Sequence, residues 1–333
     1  LICAIIAAMS GVSTTAVVTM GIIALPIMLK QGYHKSIAIG PILAGGALGL
    51  LIPPSISLIV YGMVARVSIG RLFAGGIVPG LLLVFLFLCY IGVRSFMQPN
   101  YAPALPREKR IPWIDLLRLS KGLILPIAII SAVLGTIFAG IASPTEAAAV
   151  GAAGALVSAA VHRKLNWQLL SGAAVRAMAI NGMIMWILFG AGCFTSIFFR
   201  TGGQNIIHDV LLGMGTSPFL IFLFILATLI ILGFFLDEIT QVMITVPVFL
   251  PVIVKLGYDP VWFGVLFMTQ VQMDYLTPPF GFTLFYMKGV APPEVSMGDI
   301  YRSILPFVLM QLAVVIFILL YPGVVMWLPD LLF

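Results

Sequence analysis

Charge is scarce in this chain. Of 333 residues, 17 are Lys or Arg, 11 are Asp or Glu, and 8% are charged in all. A soluble domain carries about 25%. Too few charges remain to cover a water-facing surface, so a soluble globular protein is excluded. Cysteine is equally rare. Cys3, Cys89 and Cys193 sit in apolar runs and are expected to be small buried hydrophobes, which excludes a disulfide framework. His34, His162 and His208 are scattered in loops without metal-ligand spacing. No paired His-Glu helix motif or Ser-His dyad lies in an apolar run, so an intramembrane enzyme lacks its constellation.

Apolar residues make up 62% of the chain, and the mean hydropathy is +1.19. Those values describe an all-α polytopic membrane protein. The net charge of +6 then reflects cytoplasmic loops and does not point to nucleic acid. The chain opens with Leu1 and runs straight into Ile-Cys-Ala-Ile-Ile, without the charged start or cleavage site of a signal peptide. The opening reads as the middle of a helix, and an N-terminal portion is expected to be missing.

Proline marks the organising feature. Leu276-Thr277-Pro278-Pro279-Phe280-Gly281 lies inside an apolar run. Proline has no N–H to donate and clashes with the preceding turn. Two in a row are expected to free the carbonyls of Asp274 and Tyr275. Leu51-Ile52-Pro53-Pro54-Ser55 repeats the device and is expected to free those of Gly49 and Leu50. A freed carbonyl is costly in lipid, so both breaks must be buried in protein or face water or a cation. The echo is wider than the prolines. Thr15/Thr240, Pro26/Pro251, Lys30/Lys255, Gly32/Gly257, Tyr33/Tyr258 and Tyr61/Tyr286 are also 225 residues apart. Paired interrupted segments in two halves point to the binding site of a secondary transporter.

Short apolar arms around Ser10–Thr15 and around Leu236–Thr240 predict two re-entrant hairpins. Each precedes a broken helix, over 37–66 and 260–287. A surface helix is expected over 67–76 and crossings over 78–96, 122–141, 144–161, 179–199 and 303–322. The first broken helix and the four crossings before the second hairpin, five in all, separate the two hairpin mouths, so the repeats are inverted. With the first mouth in the cytoplasm, 13 Lys and Arg fall inside, including Arg107, Lys109, Arg110 and Arg118, and four outside. The positive-inside rule expects that bias.

Each break presents carbonyl ends that suit a hard cation and N–H ends that suit an anion. A first cation site is expected at Ser10, Ser13, Gly49, Ile52, Pro53 and Ser55. A second is expected at Gly233, Asp237, Asp274, Thr277, Pro278 and Phe280. An anionic substrate would lie between the tips, at Ser13, Thr14, Thr15, Asp237, Glu238 and Thr240. The tip acids Asp237 and Glu238 either bind directly or line a wet cavity. Glu146, in Ser143-Pro144-Thr145-Glu146, reads as a helix cap. Arg66, Arg71 and Arg200 read as interface markers.

Four stretches carry a family resemblance: Gly46-x-x-Gly49-x-x-Ile52-Pro53-Pro54-Ser55, Ser143-Pro144-Thr145-Glu146-Ala147-Ala148, Asp259-Pro260-Val261-Trp262-Phe263-Gly264 and Leu276-Thr277-Pro278-Pro279-Phe280-Gly281. The chain resembles, over its whole length, the large DctM-like membrane subunit of tripartite ATP-independent periplasmic (TRAP) transporters. The resemblance implies an elevator-type, ion-transporter-like fold with sodium (Na+) as coupling ion. It implies an organic acid anion as substrate, such as a C4-dicarboxylate or a 2-oxo acid. Its partners would be a periplasmic substrate-binding protein and a small four-helix membrane subunit, in the bacterial inner membrane. Further N-terminal scaffold helices are also implied. Asp274 departs from the pattern, since many members carry Gly there. The expected division is a first repeat at 1–76, connecting helices at 77–217, a second repeat at 218–302 and a last helix at 303–333. A standalone ion-coupled carboxylate carrier is the alternative.

Overall fold

The computed structural model describes residues 1–104, 112, 115, 120–213, 215 and 217–333. Arg107, Lys109, Arg110 and Arg118, counted above on the inner side, lie outside the described residues. So does the side chain of His208.

The described residues form helices joined by turns and short irregular segments, with no strand among them. The first repeat holds α1 (Ile2–Ser10), α2 (Ser13–Lys30), α3 (Lys35–Ala47) and α4 (Ile56–Ala65). α5 (Ile69–Met97), α6 (Ile124–Phe138), α7 (Pro144–Val161), α8 (Trp167–Arg200) and α9 (Gly203–Gly213) follow. The second repeat holds α10 (Pro218–Gly233), α11 (Glu238–Lys255), α12 (Pro260–Asp274) and α13 (Phe282–Val290). α14 (Met297–Leu320) and α15 (Gly323–Leu332) close the chain. Among the described residues, seven helices are long and apolar enough to cross a membrane.

Local sequence sets the starts. Ser55, Ser68, Asn166, Ser217, Asp237 and Asp259 each cap a following helix through a side-chain oxygen. Ser143 and Glu146 form both bonds of a capping box, as do Ser296 and Asp299. The second box starts α14 at Met297, earlier than the crossing expected at 303.

Three expectations need correction. The surface helix at 67–76 and the crossing at 78–96 are one 29-residue helix, α5, with Pro79 inside it. Close packing carries it through. Positions 75, 76 and 80 are glycines lying on Val265, on the Leu51 carbonyl and on Ile52, so the helix seats directly on the first break. The second arm of each hairpin is also longer than expected, at 18 residues in both α2 and α11. Of the three cysteines, only Cys3 is buried; Cys89 and Cys193 are exposed, on outward faces of α5 and α8.

The core is built on the first halves of the broken helices. In α12 every residue from Val261 to Asp274 is buried, and α3 is buried almost as fully. A helix enclosed on all sides belongs at the centre of a bundle. The surroundings follow the 225-residue echo. Hairpin arm α11 packs on α4, and its counterpart α2 packs on α13. The long helix after each repeat packs on the opposite first half, α5 on α12 and α14 on α3. Each half therefore rests on the other. At the periphery α6 packs on α7, and α8 packs on α11. These helices expose large apolar side chains such as Trp167, Trp186 and Phe189, which suit lipid.

Candidate functional site

Each broken helix ends where a hairpin tip meets it. α3 tightens into a 3-10 turn at Leu48–Leu50, and α4 begins only at Ile56. α12 stops at Asp274, and α13 begins at Phe282. The Pro53-Pro54 and Pro278-Pro279 peptide bonds are both cis.

At the first site the approach is backbone on backbone. Gly11 ends α1 with φ +65°, a conformation that favours glycine. A Cβ there would lie 3.1 Å from the Pro54 carbonyl oxygen. A Cβ on Gly49 would lie 2.9 Å from the Ala7 carbonyl oxygen, and one on Gly46 would lie 3.2 Å from that of Ser13. Three carbonyl oxygens thus line the contact between tip and break. Ser10 donates to the carbonyls of Ala7, at 3.2 Å, and Val12, at 3.0 Å. The Ser13 hydroxyl is 1% exposed and has no hydrogen-bond partner. The tip thus meets the break at three contacts: Ala7 on Gly49, Ser13 on Gly46, and Gly11 on Pro54. Ile52 packs its side chain against Gly80 of α5. Thr14 is half-buried beside the tip and Thr15 is exposed.

The second tip is built from caps. Asp237 accepts from the N–H groups of Ile239 and Thr240 at 3.1 Å, and from the Thr240 hydroxyl at 2.5 Å. That carboxylate starts α11, so Asp237 and Thr240 turn their polar atoms toward each other. The Glu238 N–H donates to the Tyr275 hydroxyl at 3.2 Å, joining tip to break. Phe235 of the tip meets Phe280 edge to face at 6.5 Å, and Tyr275 packs on Phe282 at 5.3 Å. Thr277 donates to the Met273 carbonyl at 2.7 Å. Gly233 lies directly against the Asp274 carboxylate, where any side chain would collide.

The expectation of freed carbonyls needs correction at three of its four positions, Leu50, Asp274 and Tyr275. The Asp274 carbonyl accepts the Thr277 N–H at 3.0 Å. The Tyr275 carbonyl accepts the Thr283 hydroxyl at 2.7 Å, and the Leu50 carbonyl accepts the Ser55 hydroxyl at 2.7 Å. Leu50 and Tyr275 are equivalent positions, so each break closes itself with one hydroxyl from its second half. A hydroxyl that donates inward still offers lone pairs outward, and a carbonyl has two. Both remain able to face a cation.

Sequence reasoning missed Tyr275, Thr283 and Gln270. Tyr275 and Thr283 flank the quoted proline motif and carried a signal, since a polar group beside a break has a carbonyl within reach. Gln270 donates to Asp274 one turn away, which the i, i+4 spacing announces. Among the described residues no cluster of three His, Cys, Asp or Glu side chains is present.

Residues 1–324 match the family described as "Tripartite ATP-independent periplasmic transporter, DctM component". The isethionate TRAP transporter permease protein DctMQ of Oleidesulfovibrio alaskensis is 32% identical over 326 residues, covering 98% of this chain and 50% of that protein. The C4-dicarboxylate TRAP transporter large permease protein DctM of Pseudomonas aeruginosa is 31% identical over 332 residues, covering 99% of this chain and 76% of that protein. The ectoine/5-hydroxyectoine large permease protein UehC of Ruegeria pomeroyi is 33% identical over 335 residues, covering 99% and 76%. The chain spans half the length of the first of these relatives. With its pair of tip-capped breaks and its seven long apolar helices, the chain belongs to the DctM component family of tripartite ATP-independent periplasmic transporters, multi-pass inner-membrane permeases and not enzymes.

Proposed function

We propose that this chain is the membrane permease of a sodium-coupled importer of organic acid anions. The observation that carries the reading is the paired arrangement of two breaks, each met by a hairpin tip lined with main-chain and hydroxyl oxygens. Such oxygens suit a hard cation. One sodium ion lies at Ser10, Ser13, Gly49, Ile52, Pro53 and Ser55. Another lies at Gly233, Asp237, Asp274, Thr277, Pro278 and Phe280. Bound sodium orders the tips, and the anion rests between Ser13, Thr14 and Thr15 on one side and Asp237, Glu238 and Thr240 on the other. The negative tip acids need the sodium charge nearby before a carboxylate can enter. That requirement couples the two ligands.

The hairpins and broken helices move as one body, in an elevator motion. α5 and α14 are each continuous across the expected boundaries at 76 and 302 and sit on α12 and α3, so they travel with that body against the peripheral spans. The packing of α11 on α4 and of α2 on α13 supports a single moving unit. A periplasmic substrate-binding protein delivers the anion, and a small four-helix membrane subunit completes the scaffold. C4-dicarboxylates, isethionate and ectoine in the relatives' names suggest a small polar acid.

The test is uptake into proteoliposomes holding both membrane subunits, with the binding protein outside. Uptake should need an inward sodium gradient and the loaded binding protein. Uptake indifferent to sodium removes the coupling. Uptake of free anion without the binding protein favours the standalone carrier.

A further inference from the structure

Asp274 presents two faces. Its carbonyl belongs to the second break. Its carboxylate points the other way, into hairpin two, and lies against Gly233 of α10. Asp274 is 1% exposed. One carboxylate oxygen accepts from Gln270 Nε2, and the other, Oδ1, has no partner.

The surrounding amides are oriented by their partners. With Asp274 ionised, Gln270 directs its NH2 at the carboxylate, because an ionised carboxylate only accepts. Its Oε1 is therefore the free end, and that oxygen has no partner. Gln241 of α11 donates from Nε2 to the Leu229 carbonyl at 2.6 Å, and a carbonyl also only accepts. Its Oε1 likewise has no partner. Both glutamines are 0% exposed. Leu229 lies one helical turn before Gly233, and Gln270 lies one turn before Asp274. Both amides therefore sit within about 6 Å of chain rise from the Gly233–Asp274 contact.

Three buried acceptor oxygens with one negative charge, none of them reached by a donor, call for a positive partner. Oxygen-only ligands select a hard cation over a transition metal. A single formal charge selects a monovalent one. The first repeat has no such feature. There the equivalent position is Gly49, which lies against Ala7, with no charge on either side of the contact.

We propose that Asp274 Oδ1, Gln270 Oε1 and Gln241 Oε1 form a side-chain seat for an additional sodium ion between α10, α11 and α12. This seat lies behind the second break and uses the Asp274 carboxylate, where the second site uses the Asp274 carbonyl. It rests on the sodium-coupled reading only for the identity of the ion.

The test counts bound sodium. The full chain, purified in lipid nanodiscs, is equilibrated with radioactive sodium at fixed pH. Wild type should hold one more ion per chain than Asp274→Asn or Asp274→Gly. Gln241→Met keeps the charge and should weaken binding of that same ion. It also serves where an Asp274 variant fails to fold. Equal counts in wild type and Asp274→Asn, or unchanged affinity in Gln241→Met, overturn the seat and leave the two main-chain sites standing. A count that is equal but accompanied by proton release from wild type alone assigns the carboxylate to a proton, and overturns it too. No sodium bound by any form removes the coupled-transport reading and the seat together.

Discussion

The Tyr61 hydroxyl donates to the Pro260 carbonyl at 2.7 Å, tying the second half of one broken helix to the first turn of the other. The ring lies over Gly264, where a Cβ would overlap its edge. The equivalent Tyr286 is 48% exposed. Gly264→Ala should therefore cost about 1–3 kcal/mol by overpacking. Tyr61→Phe should cost about 0.5–1.5 kcal/mol by removing one net hydrogen bond. Tyr286→Phe should stay within about 0.5 kcal/mol. Thermal unfolding in detergent ranks the three, and an equal loss for Tyr61→Phe and Tyr286→Phe would contradict the asymmetry.

Gly49 supports the first site by having no side chain. Gly49→Ala places a methyl group on the Ala7 carbonyl, which has no room to withdraw. The tip must shift, and sodium should bind roughly tenfold or more weakly if the tip oxygens move with it. Sodium titration of the variant, read by thermal shift, checks this. Wild-type affinity would detach the first tip from cation binding.

Ser55 and Thr283 carry the same task in the two halves, so their alanine variants should behave alike. Each leaves a carbonyl without its hydroxyl, at a cost of about 1–3 kcal/mol. Thr283→Ser restores the donor and should recover stability and uptake. Failure of that rescue would mean that the methyl group of Thr283, and not its hydroxyl, matters.

Ser143 and Glu146 give a control away from both breaks. Ser143→Ala should remove about 0.5–2 kcal/mol from the start of α7. Hydrogen exchange should rise in the first turn of α7 while the sodium dependence of uptake stays unchanged. A changed sodium dependence would place the start of α7 in the transport machinery.

Replacing Pro278-Pro279 by Ala-Ala returns two N–H donors to the break. α12 and α13 can then join through 275–281, and the second site closes. Uptake should fall by about tenfold or more, as helix propensity now favours continuity by ~3 kcal/mol per proline removed. Wild-type uptake would show that the interruption is dispensable.

Much of this architecture was legible because it is written twice. Pairs such as Pro53/Pro278 and Tyr61/Tyr286 mark equivalent positions without any coordinates. The breaks follow from proline lacking a donor, and the cap at Ser143 follows from residue chemistry alone. What stayed hidden depends on contact between distant segments. Nothing local says that Thr283 turns back to Tyr275, or that Gly233 faces Asp274. The continuity of α5 was hidden for a similar reason. Pro79 argues for an interruption, and only the glycines at 75, 76 and 80, seated on the first break, hold the helix together.

The reciprocal packing of α2 on α13 and of α11 on α4 bears on how the protein is made. α2 leaves the ribosome some 250 residues ahead of the segment it must rest on. At ordinary synthesis rates that interval is on the order of ten to fifty seconds. During it, the first hairpin sits in the bilayer with one flank uncovered, sheltered by lipid or by the insertion machinery. Biogenesis of this permease is therefore completed late and all at once, when the final third of the polypeptide arrives.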